Sequence, residues 1–346
     1  MYRFLISCEG GITVGFVESK IEVADGLSLS AMGCGTWAWG NQFLWDYTPD
    51  MDEELQRVFN LMVSQGVTWF DTGDSYGTGK FSGRSESLLG QFATQYRGEH
   101  QEEIAIATKL AVYPWRLTPQ SMVKACEKSA QRLQKPVDLV QLHWPPTKYF
   151  PWQEKPLLEG LARLYHQGKV RAIGLSNYGP DNLLKAHQFF QGQGVKISTL
   201  QVQYSLLSTY AISDLGLKDL CKELDIKIIA YSPLTLGLLT GKYSLDDPLP
   251  KGSRRFLFKR LLPSIQPLLD RLNAIALKNG KTMAQVSINW CICQGTIPIP
   301  GAKNFQQAQE NIGALGWRLT NKEVQELEKI ALNLDRKMIQ NIFQTT

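Results

Sequence analysis

Short apolar runs of strand-like composition alternate with amphipathic helical patterns along most of this chain, and that alternation constrains the fold more than any other feature. The predicted strands are Ser30–Gly33, Thr68–Phe70, Ile104–Thr108, Val137–Leu142, Val170–Leu175, Thr199–Val202, Lys227–Tyr231 and Ile297–Pro300. Apolar strands separated by helices are typical of a parallel sheet. Eight such units within 346 residues predict a (β/α)8 TIM barrel. No Gly-x-Gly-x-x-Gly follows an early strand, which disfavours an open dinucleotide-binding sheet.

Three parts of the chain lie outside these eight units. Residues 1–28 contain Gly10-Gly11 between two apolar stretches, which predicts a hairpin-like extension over the bottom of the barrel. Residues 232–262 predict a long loop after the seventh strand, and loops of that length tend to be functional or mobile. An extra C-terminal helix is predicted over residues 321–332, where Thr320 and Glu323 form the pattern of a capping box. We expect a single domain over the whole chain.

Composition excludes several classes of protein. The chain is 43% hydrophobic and 20% charged, which is ordinary for a globular protein with a large core. A diffuse net charge of +5 is compatible with an anionic cofactor and does not indicate nucleic-acid binding. The six cysteines have neither zinc-site nor disulfide-framework spacing, so we expect reduced thiols and no metal site. No apolar stretch reaches the ~18 residues of a membrane span, and no targeting peptide is recognised. We expect a cytoplasmic monomer or weak oligomer.

Four polar residues lie just beyond predicted strands: Asp71, Tyr76, Lys109 and His143. The carboxyl ends of barrel strands meet at one face, so these side chains are expected to lie together. A tyrosine hydroxyl is a weak acid with a pKa of roughly 10, and a neighbouring cation would lower that pKa. We therefore expect a proton donor at Tyr76, with Lys109 as the cation, Asp71 holding the lysine and His143 orienting the substrate oxygen. Taken singly, each residue also has an ordinary structural explanation as a cap, a solvated lysine or a packed ring.

Sequence motifs around these residues carry a family resemblance. In chain order they are Gly33-Cys34-Gly35-Thr36-Trp37, Asp71-Thr72-Gly73-Asp74-Ser75-Tyr76-Gly77, Ala107-Thr108-Lys109, Gln141-Leu142-His143-Trp144-Pro145, Gly174-Leu175-Ser176-Asn177-Tyr178, Tyr231-Ser232-Pro233-Leu234 and Ile299-Pro300-Gly301-Ala302-Lys303. From about Ile21 to Leu332 the chain resembles the aldo-keto reductases, with the greatest similarity to those of plant plastids and photosynthetic prokaryotes. Residues 1–20 lie outside the resemblance. Each motif alone is weak evidence for the family, but the presence of all of them in this order makes the resemblance specific.

The resemblance implies NADPH-dependent reduction of an aldehyde or ketone to an alcohol, without a metal. Hydride comes from the nicotinamide of NADP(H) and the proton from Tyr76, whose acidity Lys109 and Asp71 would tune. His143 would align the carbonyl, and a histidine at this position indicates carbonyl chemistry, because family members that reduce steroid double bonds have a glutamate there. The small-molecule carbonyl substrate is the main expected partner.

The resemblance also implies where the cofactor binds. The nicotinamide would contact Ser176, Asn177, Gln201 and Tyr231, with the tyrosine stacked on the ring. The loop with Ser232, Leu234 and Gly237 resembles the clasp around the pyrophosphate. Lys303 would grip the 2′-phosphate, Gln307 stands where relatives often have an arginine, and Glu310 and Asn311 resemble adenine contacts. Since glutamine lacks the charge of arginine, the expected preference for NADP over NAD depends on Lys303.

Aromatic residues just beyond the strands suggest the substrate class. Trp37, Trp115 and Trp144 are expected to line a pocket for an apolar or ring-bearing aldehyde or ketone. Two other functions remain open at this level. One is a redox-sensing regulatory subunit, similar to the potassium-channel β subunits that keep the same four residues. The other is an alcohol or sugar dehydrogenase that uses NAD(P)+, because the direction of reaction depends on cofactor ratios.

Overall fold

The computed structural model describes residues 20–246, 248–250, 252–339 and 341–345. Its strands are β1 Ile21–Ala24, β2 Leu27–Leu29, β3 Cys34–Gly35, β4 Trp69–Asp71, β5 Ala105–Leu110, β6 Val137–Leu142, β7 Val170–Ser176, β8 Ile197–Gln203, β9 Lys227–Tyr231 and β10 Ile297–Ile299. Its helices are α1 Gln42–Trp45, α2 Asp52–Ser64, α3 Arg84–Gln95, α4 Pro119–Leu133, α5 Glu154–His166, α6 Pro180–Gly192, α7 Tyr210–Ser213, α8 Leu217–Glu223, α9 Ser253–Asn279, α10 Met283–Cys293, α11 Phe305–Ile312 and α12 Asn321–Leu332.

Strands β3 to β10 pair in chain order, each parallel to the next, and form one eight-stranded sheet. The sheet closes on itself where the backbone of β3 meets that of β10. The Gly33 N–H donates to the Pro298 carbonyl at 3.0 Å, and the Gly35 N–H donates to the Pro300 carbonyl at 3.2 Å. Helices between successive strands surround the sheet. The expected (β/α)8 barrel is therefore confirmed.

A hairpin of β1 and β2 covers the amino-terminal end of the barrel. Its strands pair antiparallel, and Val23 and Leu27 pack into the apolar cluster that holds Trp69, Ala105 and Leu139 from the barrel strands. These barrel residues fill the lower interior, so the hairpin seals a packed core rather than a pore. The Gly10-Gly11 turn that the sequence suggested lies outside the described residues.

Two of the predicted boundaries were wrong. The first barrel strand is Cys34–Gly35 and not Ser30–Gly33, since the Ser30 hydroxyl bonds to the Met32 carbonyl at 2.8 Å and local bonds of this kind compete with a ladder. The loop predicted to end at residue 262 ends at residue 252, where α9 begins. Phe258 and Leu261 are buried on that helix, and burial of an apolar face outweighs the basic, loop-like composition.

The C-terminal helix matches its prediction. In α12 the Thr320 hydroxyl accepts the Glu323 N–H and the Glu323 carboxylate accepts the Thr320 N–H, which completes the capping box. Among the helices within the described ranges, none is both long enough and apolar enough to cross a membrane.

Candidate active site

The alternation of side chains along the strands places a polar layer above the apolar interior of the barrel. Side chains two residues apart on a strand point to the same face. Trp69, Ala107 and Leu139 lie in the interior cluster. The residues two positions further toward the carboxyl end are Asp71, Lys109 and Gln141, and all three are buried. Strand geometry alone therefore brings a carboxylate, an ammonium group and an amide to one layer.

Asp71 and Lys109 form a buried ion pair at the centre of this layer. Lys109 is 1% exposed and Asp71 2% exposed. The Lys109 Nζ donates to Asp71 Oδ1, and it also donates to the Thr72 carbonyl at 2.8 Å. Asp71 Oδ2 accepts from the side-chain amides of Gln141 at 3.0 Å and Gln201 at 2.8 Å. Because both carboxylate oxygens have donors, the buried charge is fully paired.

Tyr76 lies against this pair. The Lys109 Nζ is 5.0 Å from the centre of the Tyr76 ring. The imidazole of His143 meets the same ring edge-on at 5.7 Å between ring centres, and Ser75 Oγ lies 3.4 Å from His143 Nδ1. The structure thus brings together the four residues singled out in the sequence.

The ionisation of these groups departs from expectation in one respect. Burial, and then the charge of Asp71, raise the pKa of Tyr76 well above its ordinary value. The net shift of the Tyr76 pKa is opposite in direction to the one expected from Lys109, because burial of the hydroxyl and the charge of Asp71 outweigh the effect of a cation that is itself paired with Asp71. Burial, and then the charge of Lys109, lower the pKa of His143 well below its ordinary range. At neutral pH the site therefore holds a protonated phenol beside a neutral imidazole.

A cleft of about 880 Å³ opens above the polar layer at the carboxyl end of the barrel. Seventeen of the eighteen residues predicted for the site line it: Asp71, Tyr76, Lys109, His143, Ser176, Asn177, Gln201, Tyr231, Ser232, Leu234, Gly237, Lys303, Gln307, Glu310, Asn311, Trp37 and Trp144. Tyr76 and Lys303 line this cleft from different loops, which follow β4 and β10.

Trp115 does not line the cleft, so its prediction as a pocket residue was wrong. It is 71% exposed and stacks on Tyr113 with 4.6 Å between ring centres. The Gln153 side-chain amide holds this loop by donating to the carbonyls of Tyr113 and Arg116, at 3.0 and 3.1 Å. Position after a strand placed Trp115 at the correct end of the barrel but could not predict which way the loop turns.

The far end of the cleft is cationic and suits a phosphate group. Lys242, Arg254 and Lys303 all line it. The Arg254 guanidinium lies 4.7 Å from the centre of the Trp45 ring and the Lys303 ammonium 5.5 Å from it. Burial, and then the charge of Arg254, lower the pKa of Lys303. Among the described residues, the buried Nε of Arg254 has no hydrogen-bond partner. An anion placed here would satisfy that donor and relieve the repulsion between the cations.

Between the two ends, the loop after β9 is built for close approach of a ligand. Ser232 and Leu236 have left-handed φ angles of 55° and 57°, and Gly237 has a φ of 101°. Non-glycine residues rarely adopt this region, and such strain clusters where backbone is shaped around a ligand. The cleft therefore combines a polar layer, a strained loop and a group of cations, which together fit a dinucleotide with an added phosphate.

Sequence reasoning missed two groups of residues in the cleft. Lys242 and Arg254 come from the stretch expected to be a long loop, and its content of basic residues was the available signal. Met338, Asn341 and Phe343 come from the chain beyond α12 and also line the cleft. Phe343 stacks on Trp144 with 4.4 Å between ring centres. This C-terminal stretch has no periodicity that would have assigned it to the site.

The comparison with known families agrees with this geometry. The family model for the Aldo/keto reductase family matches residues 31–332. This chain belongs to the aldo/keto reductase family. It is therefore an oxidoreductase that acts on carbonyl compounds, and members of the family use NADP(H) as their cofactor.

Individual relatives support the same assignment. The chain is 52% identical to the chloroplastic pyridoxal reductase of Arabidopsis thaliana over 322 residues, which cover 92% of this chain and 88% of the relative. An aldo/keto reductase from Klebsiella pneumoniae, solved in complex with NADP and acetate, is 25% identical with a TM-score of 0.70, over 94% of this chain and 99% of that one. A glycerol dehydrogenase from Gluconobacter oxydans shares the fold, with a TM-score of 0.78 at 24% identity, over 95% of this chain and all of that one.

Proposed function

We propose that this protein reduces the aldehyde of pyridoxal, or of a similar ring-bearing compound, to the alcohol with NADPH, and that Tyr76 donates the proton. The observation that carries the proposal is geometric: the rings of Tyr76 and His143 meet edge-on, 5.7 Å between centres, beside the buried Lys109–Asp71 pair, in a cleft that Lys242, Arg254 and Lys303 also line. A general acid must hold its proton until the reaction, and a raised pKa keeps Tyr76 in that form at neutral pH.

The chain's own residues perform the proton chemistry. NADPH, when bound, supplies a hydride to the carbonyl carbon. Tyr76 gives its hydroxyl proton to the carbonyl oxygen, which becomes the alcohol, and the tyrosine becomes a phenolate. Lys109 lies 5.0 Å from the centre of the Tyr76 ring and stabilises the negative charge that develops there. His143 is neutral, so it hydrogen-bonds the substrate oxygen without competing as an acid.

Cofactor contacts are proposed from the lining of the cleft. Ser176, Asn177, Gln201 and Tyr231 would hold the nicotinamide, Ser232, Leu234 and Gly237 the pyrophosphate, and Glu310 and Asn311 the adenine. Lys303 and Arg254 would hold the 2′-phosphate. Arg254 compensates for Gln307, whose side-chain oxygen instead accepts the Lys303 N–H at 2.9 Å. Two cations at this point favour NADPH over NADH.

The substrate class is proposed from the rings at the Tyr76 end. Trp144 lies beside His143, with 4.8 Å between ring centres, and Phe343 extends this aromatic wall by stacking on Trp144, while Trp37 lines the same cleft. Flat aromatic walls suit a planar ring that bears an aldehyde. The 52% identity to a pyridoxal reductase makes pyridoxal the first compound to test.

Turnover of pyridoxal by the purified full-length protein tests the proposal. NADPH oxidation is followed at 340 nm, and the alcohol product is identified by chromatography and mass spectrometry. We expect NADPH-dependent formation of pyridoxine, with kcat/KM for NADPH at least about tenfold above that for NADH. A protein that binds NADPH yet reduces neither pyridoxal nor 4-nitrobenzaldehyde would contradict the proposal and favour a redox-sensing role.

A further inference from the structure

The chain beyond helix α12 returns across the carboxyl end of the barrel and is hydrogen-bonded to it at both its start and its end. We call residues 338, 339 and 341–345 the tail. At its start, the Met338 N–H donates to the Leu207 carbonyl at 2.8 Å. At its end, the Thr345 N–H donates to the Asn177 carbonyl at 3.2 Å, and the Thr345 hydroxyl accepts the Gly179 N–H at 2.8 Å. The tail therefore lies directly over the nicotinamide end of the cleft.

Between these two points Asn341 reaches down to Tyr231, and its amide can have only one orientation. Asn341 Oδ1 accepts the Phe343 N–H at 3.0 Å, which leaves the Nδ2 group to donate to the Tyr231 hydroxyl oxygen at 2.8 Å. The hydroxyl proton of Tyr231 must then point elsewhere. It is donated to Asn177 Oδ1, also at 2.8 Å.

The same chain of hydrogen bonds continues below Asn177. The Asn177 Nδ2 group donates to the His143 carbonyl and to Ser176 Oγ, each at 3.1 Å. Asn177 also has a left-handed φ of 62°, a region that asparagine adopts more readily than most residues. One directional series of bonds thus runs from Asn341 through Tyr231 and Asn177 to the backbone of His143.

We propose that Asn341 is a positioning residue for the nicotinamide end of the cofactor site. It fixes the direction of the Tyr231 hydroxyl and thereby the amide of Asn177, the two groups that would stack on the ring and bind its carboxamide. This inference rests on the proposed NADPH-dependent function. Asn341 acts through Tyr231. The Asn341 side chain donates to the Tyr231 hydroxyl, whereas the tail contacts Asn177 through a backbone hydrogen bond from the Thr345 N–H to the Asn177 carbonyl.

A double-mutant cycle on NADPH affinity tests the inference. Asn341→Leu removes the donor to Tyr231, and Tyr231→Phe removes the hydroxyl while it keeps the ring for stacking. Dissociation constants are measured by NADPH titration of the intrinsic tryptophan fluorescence, without substrate. Each single variant should bind NADPH about fivefold more weakly, the factor expected for one lost hydrogen bond. The double variant should also lose only about fivefold, because both changes break the same connection.

Two further variants serve as controls. Asn341→Gln keeps the amide donor and should bind NADPH within about twofold of the native protein. Asn333→Ala lies on the same C-terminal stretch, where its side chain bonds only to the Lys329 carbonyl among the contacts in the described residues. It should leave affinity unchanged, which would show that losing a side-chain hydrogen bond at the end of α12, outside the tail, does not weaken NADPH binding.

Two results would overturn the inference: an Asn341→Leu affinity within twofold of native, or losses that multiply to about 25-fold in the double variant. If the native protein itself fails to bind NADPH, the proposed function fails and the inference falls with it. That outcome is distinguished from the others because it is measured on the unmodified chain.

Discussion

At the scale of single residues, Asp71 is the group on which the rest of the site depends. Its two oxygens accept from Lys109, Gln141 and Gln201, three side chains delivered by different strands. Its charge keeps Lys109 paired in a water-excluded position, and it also contributes to the raised pKa of Tyr76. Asp71 therefore serves both the stability of the barrel mouth and the protonation of the proposed acid.

Replacing Asp71 should destabilise the protein strongly. Asp71→Asn leaves the buried Lys109 without a counter-charge, and breaking a buried pair in this way costs about 3 kcal/mol or more. The free energy of unfolding, measured by urea denaturation, should fall by that amount. The exposed Asp225, which pairs with Lys196 and Lys227, provides the control. Asp225→Asn should cost less than about 1 kcal/mol, and equal losses in the two variants would contradict this account.

The pH dependence of reduction follows from the shifted groups. Tyr76 must be protonated to donate, and its raised pKa keeps it so through the alkaline range. His143 must be neutral, and its lowered pKa keeps it so down through weakly acidic pH. The kcat/KM for aldehyde reduction should therefore be flat between about pH 7 and pH 9. A decline in kcat/KM with a midpoint near pH 8 would show that Tyr76 loses its proton near that pH, which would contradict a raised pKa.

At the scale of elements, the start of α9 brings a charge to the cofactor cleft that the sequence did not assign. Arg254 projects into the cationic end beside Lys303, while the adjacent Arg255 is exposed. The helix positions one of two neighbouring arginines for binding and leaves the other in solvent. This difference makes Arg255 a natural control.

Arg254 should contribute to the choice between cofactors. Arg254→Ala should raise the KM for NADPH about tenfold and leave the KM for NADH unchanged, because a charge-assisted contact to the 2′-phosphate is lost. Arg255→Ala should change neither constant. Steady-state kinetics with both cofactors measures this. An equal effect on NADPH and NADH would place Arg254 away from the 2′-phosphate.

The elements also show what could be predicted from the sequence. Strand periodicity and the capping box located β4 to β10 and α12 within a few residues, since burial and capping are local signals. The strand at Cys34 was misplaced because a serine side chain competed with the ladder. Trp115 and the tail depend on contacts with distant residues, Gln153 for the first and Leu207 for the second. Local sequence patterns do not predict contacts between residues that are far apart in the chain.

At the scale of the whole molecule, residues of the closed barrel and residues of the returning tail line the same cleft. The hairpin packs against the amino-terminal end of the barrel, and the cleft opens above the layer with Asp71 and Tyr76. The tail covers the Tyr231 side of that opening, and the loop after β9 shapes the path to Lys303. A single domain over all 346 residues, a cytoplasmic location, a monomeric or weakly oligomeric state and the lack of a nucleic-acid partner stay predictions.

Removal of the Tyr76 hydroxyl tests most directly whether this group donates the proton in aldehyde reduction. Tyr76→Phe should lose pyridoxal reduction by a factor of about 10² to 10⁴, because only the proton donor is removed, while the dissociation constant for NADPH stays unchanged. Tyr113→Phe, on the ring that stacks with Trp115 outside the cleft, should retain native turnover. A Tyr76→Phe protein that reduces pyridoxal within about threefold of the native rate would contradict the assignment of Tyr76 as the acid.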